Sequence, residues 1–244
     1  MRTRKKKWAA DVLENNPRIL RDATAYADGF RKFFQNDRPI HLELGCGKGR
    51  FIVETSRRNP DVNFIAIERD ETILATAARR AGAPSTQWAP PSAVSEANLS
   101  RYATEGGDAF SRSRIQSASL FFIHADVNDG LEFIRPGEIA RLYINFCDPW
   151  PTKKKRAKRR LTHENFLKLY EKLQIPELFF KTDNRILFEA SLESFSRENW
   201  LIKNISLDLH ASNPPDNIMT EYEEKFSPHG PIYRLEAEPR LPMT

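Results

Sequence analysis

The stretch Ile40-His41-Leu42-Glu43-Leu44-Gly45-Cys46-Gly47-Lys48-Gly49-Arg50 decides how the chain is read. A short β-rich run stops at a glycine-dense turn, and a helix-compatible segment (Phe51, Ile52, Thr55) follows. Glycines let such a turn bend tightly and let the backbone approach a ligand closely. The amides that open the helix beyond it favour anionic or hydroxyl-rich ligands. The next apolar run, Phe64-Ile65-Ala66-Ile67, ends on Glu68, 21 positions past Gly47. A nucleotide-binding fold places a carboxylate there to grip a ribose. Arg50 stands where G-x-G-x-x-G needs its last glycine, so the dinucleotide fingerprint is not met.

Outward from this stretch, strand and helix signals alternate. Strands are expected at 63–68, 118–124, 140–146 and 177–182, with a helix over 70–80 that turns Ile73, Leu74, Ala77 and Ala78 to one face. Such alternation predicts an α/β fold, a parallel sheet with helices on both faces. Residues 161–173 form the clearest helix, with Thr162 as N-cap, Leu161 and Phe166 at staple positions, and Phe166, Leu169, Tyr170 and Leu173 as its apolar stripe. A second amphipathic helix is expected at 184–197, with Leu187, Phe188, Leu192 and Phe195 inward. Trp200–Leu209 and Ile232–Glu236 suit a closing antiparallel pair. Residues 1–38 read as a basic arm followed by one or two helices over 11–36, packed on a single domain at 39–244. Within that domain, 81–117 is poor in large apolar residues and reads as an inserted surface segment.

A chain of 244 residues that is 40% hydrophobic can bury a large core. No apolar run approaches a membrane span and no secretory segment is evident, so a cytoplasmic protein without a membrane partner is expected. Two cysteines, Cys46 and Cys147, make neither a disulfide framework nor a zinc spacing, and five dispersed histidines suggest no metal. Both cysteines read as small packing residues. A net charge of +5 and a pI near 9.2 point toward a polyanionic partner. The cations are concentrated. Five of them (Arg2, Arg4, Lys5, Lys6, Lys7) precede Trp8, and seven occupy the eight residues from Lys153 to Arg160.

The second run follows another strand, Leu142-Tyr143-Ile144-Asn145-Phe146, and the loop Cys147-Asp148-Pro149-Trp150-Pro151. Proline restricts the residue before it, which holds Asp148 extended at the strand's end. In a doubly wound sheet ligands bind beyond the carboxyl ends of the strands. If this strand lies beside that of Glu43, Asp148 faces the glycine turn. The basic run is too dense to be buried, and would line the mouth of the crevice as a phosphate-binding rim.

Glu43-x-Gly45-x-Gly47-x-Gly49 resembles the first motif of class I S-adenosylmethionine methyltransferases. Asp148-Pro149-Trp150-Pro151, the basic run and Arg159-Arg160-Leu161-Thr162 make the resemblance narrower. With Met1-Arg2-x-Arg4, Lys7-Trp8-Ala9, Phe180-Lys181-Thr182-Asp183-Asn184 and Asn217-Ile218-Met219-Thr220-Glu221-Tyr222-Glu223-Glu224-Lys225-Phe226, the sequence closely resembles the bacterial tRNA (guanine-N7)-methyltransferases, which modify the variable-loop guanine at tRNA position 46. The resemblance covers nearly the whole chain except 81–117.

It implies a Rossmann-like class I methyltransferase fold, with a mostly parallel central sheet and an antiparallel C-terminal strand pair. It implies S-adenosylmethionine as cofactor, S-adenosylhomocysteine as product, no metal, tRNA as partner, and a monomer or homodimer. Glu43, Gly45, Gly47, Glu68, Asp126 and Asp148 match cofactor-binding positions, and Asp148 also matches the aspartate central to activity. Asp183 and the block Thr220, Glu221, Tyr222 and Glu223 match substrate positions. The family's substrate lysine follows Asp-Pro-Trp. Here Thr152 occupies its place and the basic run is one residue longer, so Lys153, or Lys154, is the equivalent. Two other readings are an adenine amino-group methyltransferase, since Asn145-Phe146-Cys147-Asp148-Pro149-Trp150 loosely matches an Asp-Pro-Pro-Tyr-type motif, and a non-catalytic tRNA-binding protein with a relic nucleotide fold.

Overall fold

The computed structural model describes residues 6–21, 26, 29–82, 119–149, 160–212 and 214–240. The chain divides into two units, the first ending at Arg135 and the second beginning at Pro136.

The first unit runs α1 (Lys7–Asn15), β1 (Ile19–Leu20), α2 (Phe30–Phe34), β2 (Ile40–Leu44), α3 (Arg50–Arg58), β3 (Asn63–Glu68), α4 (Glu71–Ala81) and β4 (Ser119–His124). Its strands pair in parallel, β1 with β4, β4 with β3 and β3 with β2. All six residues of β3 are buried, as expected of an inner parallel strand covered on both faces. Asp70 starts α4 by accepting the amides of Thr72 and Ile73 at 3.0 and 3.1 Å, an N-cap that satisfies two otherwise orphaned donors. Leu74, Ala77 and Ala78 are fully buried on the inner face of α4, while Ile73 is half-buried.

Residues 11–36 differ from the helix-only expectation, because β1 interrupts them. Two residues are too few to show a period, and what makes them a strand is their partner: Ile19 and Leu20 align with Phe122 and Ile123. Arg18 pins the junction. Its guanidinium, 3% exposed, donates to the carbonyls of Gly82 at 2.7 Å and Leu120 at 2.9 Å. Phe30, Phe33 and Phe34 of α2 are buried, and Phe33 packs edge-on against Phe121. Residues 83–118 lie outside the described residues, and with them nearly all of the expected surface insertion.

The second unit runs β5 (Ile139–Asn145), α5 (Glu164–Lys172), β6 (Leu178–Thr182), α6 (Arg185–Arg197), β7 (Trp200–Ser206), α7 (Leu209–Ser212), α8 (Glu221–Phe226) and β8 (Tyr233–Pro239). Strands β5 and β6 are parallel, and β8 lies antiparallel between β6 and β7. The expected C-terminal antiparallel pair is therefore present, with β8 inserted next to β6.

Helix α5 starts later than expected. Its N-cap is His163, whose ring accepts the Asn165 amide at 3.3 Å. Thr162 is buried, and its hydroxyl shares a 2.6 Å hydrogen bond with Ser191. A tertiary partner thus outcompetes the capping role that the residue type suggests. Leu161 is held instead by its carbonyl, which accepts from the buried Tyr170 hydroxyl at 3.0 Å.

Candidate active site

In the first unit, the glycine turn is tied to the end of β3. The amides of Gly45 and Cys46 both donate to the Ile67 carbonyl, at 2.8 and 3.1 Å. Gly45 and Gly47 have φ of 73° and 57°, a region that favours glycine. A Cβ on either would meet nothing within 4 Å, so the turn borders open space. Gly49 is different: a Cβ there would come within 2.8 Å of the Ala77 Cβ, so this glycine lets α3 start against α4.

Three carboxylates lie at or near the ends of the strands here, and one of them, Glu68, bonds the turn itself. Glu43 is 1% exposed in β2. Glu68 closes β3, and its Oε2 accepts the Gly47 amide at 3.1 Å while its Oε1 accepts those of Arg69 and Asp70, both at 2.9 Å. Asp126, just beyond β4, caps a single 3₁₀ turn by accepting the Asn128 amide at 3.0 Å, and lies 3.7 Å from Arg69 Nη1. Glu43, Gly45, Gly47, Glu68 and Asp126 are thus gathered at the carboxyl ends of three neighbouring parallel strands. Arg69, which links two of these ends, was not singled out in the sequence; a surface arginine carries no signal of its own.

A second cluster forms at the strand ends of the other unit. Phe146 follows β5 with φ of 55°, a left-handed conformation that costs a non-glycine residue on the order of 1–3 kcal/mol. Its amide nevertheless bonds the Lys181 carbonyl at 2.8 Å. The sharp turn at Phe146 brings Cys147 and then Asp148 off the strand, and Asp148 is exposed. Arg160 secures the same loop from the far side of the basic run. It is 5% exposed, and its Nε donates to the Pro149 carbonyl at 2.8 Å. That corrects the expectation that the whole run is surface: its last cation is buried because a backbone carbonyl receives it. Residues 150–159, including Lys153, lie outside the described residues.

Asp183, after β6, accepts from the Tyr222 hydroxyl at 3.2 Å. Tyr222 is 44% exposed, stacks on Phe226 at 4.1 Å and lies 5.1 Å from the Phe146 ring. Burial, with the Asp183 carboxylate beside it, pushes the Tyr222 phenol up, so it stays a donor. Thr220 caps α8 by accepting the Glu223 amide at 2.9 Å, in a reciprocal capping box. Glu221 begins the helix, half-buried. Glu223 is fully buried and bonded inside the protein, to Lys181, Asn217 and His210. The structure thus pairs Asp183 with Tyr222 and keeps Thr220 and Glu223 beneath them, while Asp148 is exposed beyond the neighbouring strand β5.

Desolvation disfavours the thiolate of Cys147, the form that would act as a nucleophile. Burial pushes its thiol up to about 12, with the Asp148 charge acting in the same direction. Among the described residues, no group of three or more His, Cys, Asp or Glu side chains could hold a metal ion. No helix among them is long and apolar enough to cross a membrane.

A family model described as a putative methyltransferase matches residues 37–235. The chain is 41% identical to the tRNA (guanine-N(7)-)-methyltransferase of Lysinibacillus sphaericus, over 98% of each chain. It is 42% identical to the enzyme of that name from Bacillus subtilis, over 98% of this chain and 99% of the other. The chain belongs to the tRNA (guanine-N7)-methyltransferase family. Solved structures share the fold of this family member at low identity. A 16S rRNA methyltransferase matches with a TM-score of 0.58 and 11% identity, over 87% of this chain and 93% of the other. A 16S rRNA (adenine(1408)-N(1))-methyltransferase with its cosubstrate, from Catenulisporales acidiphilia, matches with a TM-score of 0.55 and 12% identity, over 91% and 93%. The fold is that of the class I methyltransferases, α/β with a mostly parallel sheet and a C-terminal antiparallel pair.

Proposed function

We propose that this chain transfers a methyl group from S-adenosylmethionine to N7 of a guanine in the variable loop of tRNA. The observation that carries the reading is the likeness to tRNA (guanine-N7)-methyltransferases, at about two residues in five over 98% of the chain. The glycine turn fits the cofactor. Open space lies where Gly45 and Gly47 would carry a Cβ, and the acids Glu43, Glu68 and Asp126 suit an ammonium group, ribose hydroxyls and an adenine amine.

When bound, S-adenosylmethionine supplies an electrophilic methyl group on a positively charged sulfur. Guanine N7 carries a lone pair and no proton, so the protein need supply no base at that nitrogen. What the chain contributes is positioning and electrostatics. Gly45 and Gly47 admit the cofactor to the backbone, while Glu43, Glu68 and Asp126 hold its polar groups. Asp148 accepts hydrogen bonds from guanine N1–H and the exocyclic amine, or offsets the positive charge that grows on the purine. Tyr222 flanks the base, and its bond to Asp183 keeps both side chains ready. Thr220, Glu221 and Glu223 shape the block that carries Tyr222. Lys153, or Lys154, contacts the tRNA.

The test is a labelled methyl donor with unmodified tRNA transcripts, followed by nucleoside analysis. N7-methylguanosine is expected, and it should vanish when the variable-loop guanine is replaced. Methyladenosine, or no transfer at all, would overturn the reading.

A further inference from the structure

Lys181 is a buried cation that the reaction described above leaves unused. It sits in β6 after Leu178-Phe179-Phe180 and is 6% exposed. Its ammonium donates to Glu223 Oε2 at 2.7 Å, to the Ile218 carbonyl at 2.9 Å and to Asn217 Oδ1 at 3.2 Å. On the other side of the same carboxylate, Glu223 Oε1 accepts from Asn217 Nδ2 at 2.9 Å and faces His210 Nε2 at 3.1 Å. An ion pair taken out of water is seldom a net gain over well-packed apolar side chains, while losing one partner is severe. Stability alone therefore gives a weak reason for placing one here.

Geometry gives a better one. Two residues beyond Lys181 is Asp183, and one residue before Glu223 is Tyr222. The two elements are thus joined twice, by the ion pair inside and by the Tyr222–Asp183 hydrogen bond at the surface. We propose that Lys181 is a positioning residue: by gripping Glu223, Asn217 and Ile218 it fixes the start of α8 against the end of β6, so that Tyr222 and Asp183 meet the guanine as one preformed surface. The proposal rests on the reading that these two side chains face the substrate. A preformed surface spares the complex the entropy of ordering it, and small misplacements are costly in transfer reactions.

The test compares Lys181→Met with the charge-neutral double variant Lys181→Met/Glu223→Gln, with and without Tyr222→Phe. Melting temperature, calorimetric affinity for S-adenosylmethionine, and kcat and KM for tRNA are read for each. Lys181→Met should melt early, because Glu223 loses its countercharge. The neutral pair should regain most of that loss and bind S-adenosylmethionine normally. Its kcat/KM for tRNA should still be down roughly ten- to a hundredfold. Tyr222→Phe should cost activity in the wild type and nothing further in the neutral pair, because the contact it removes is already lost.

Activity that returns with the melting temperature would overturn the proposal, as would independent, multiplying losses or an inert Tyr222→Phe in the wild type. Lys181→Arg keeps the charge but not the ammonium's three-way grip, and should show the same pattern more weakly. It serves if the neutral pair does not fold. A wild-type protein inactive on tRNA would instead sink the underlying function, and that is visible before any variant is made.

Discussion

The Gly47 amide donates to Glu68 Oε2 at 3.1 Å, so the carboxylate that ends one strand holds the turn that ends its neighbour. Its other oxygen takes two more amides. Each carboxylate oxygen has two lone pairs, so the group can brace the turn and still accept a ribose hydroxyl. Glu68→Ala should therefore do double damage. Hydrogen bonds to a charged group are worth about 1.5–3 kcal/mol each when broken one-sidedly. We expect a loss of S-adenosylmethionine affinity of at least tenfold by calorimetry and a clear drop in melting temperature. Unchanged affinity would mean that Glu68 serves the turn alone.

The glycines of the turn separate by cause. Gly49→Ala drives a Cβ to within 2.8 Å of Ala77 Cβ at a φ of 79°, and should destabilise by about 1–3 kcal/mol through overpacking. Gly47→Ala meets nothing within 4 Å, so only the left-handed backbone is taxed, by about 1–2 kcal/mol. Its larger effect should fall on cofactor affinity, because the new methyl enters the space the ligand needs. Urea titration and calorimetry on the two variants should rank them oppositely.

Asp148 is exposed at the end of β5, where the Phe146 turn and Arg160 fix its loop. An acceptor that works on the transition state should show in turnover. Asp148→Asn, which exchanges an acceptor oxygen for a donor, should cut kcat by on the order of a hundred- to a thousandfold, with S-adenosylmethionine affinity held within a few-fold. Single-turnover methylation of tRNA checks it. Near-normal turnover would remove Asp148 from the centre of the mechanism.

Parts of this were legible in the sequence and parts were not, for physical reasons. The alternation of β3, α4 and β4 is written in apolar periodicity and in Asp70, whose cap depends only on its own neighbours. The glycine turn and Glu68 were legible because φ above zero and strand-end acids restrict residue choice locally. The N-cap of α5 is not legible in the sequence, because Ser191, 29 residues away, claims the Thr162 hydroxyl. Strand β1 and the burial of Arg160 depend likewise on partners distant in sequence. Lys181 left a readable trace, a lysine inside an apolar strand, yet its partners at Asn217, Ile218 and Glu223 could only come from the fold.

The Cys147 thiol gives a pH signature. Burial holds its proton until about 12, against the ordinary thiol value of 9.0. The unfolded chain therefore releases this proton first, and the folded state loses stability as pH rises from about 9 toward 12. Cys147→Ala should flatten that alkaline decline in denaturation curves. At pH 8 the native thiol should react with iodoacetamide far more slowly than a free cysteine, because the thiolate is the nucleophile. Rapid alkylation of Cys147 would contradict the raised, protonated thiol.

The basic run from Lys153 to Arg159 precedes the buried Arg160, which ties its end to Pro149 beside Asp148. A run this rich in cations suits the phosphates of a tRNA backbone. If binding neutralises about six of them, affinity for tRNA should fall roughly a thousandfold between about 50 and 200 mM salt, taking duplex slopes as a guide. Lys153→Ala and Lys154→Ala should each lower the slope of log affinity against log salt by about one. The variant that also loses turnover identifies which of the two replaces the family's lysine. Filter binding across a salt series measures the slopes, and a response that is flat in the wild type would mean that the run does not touch the tRNA backbone.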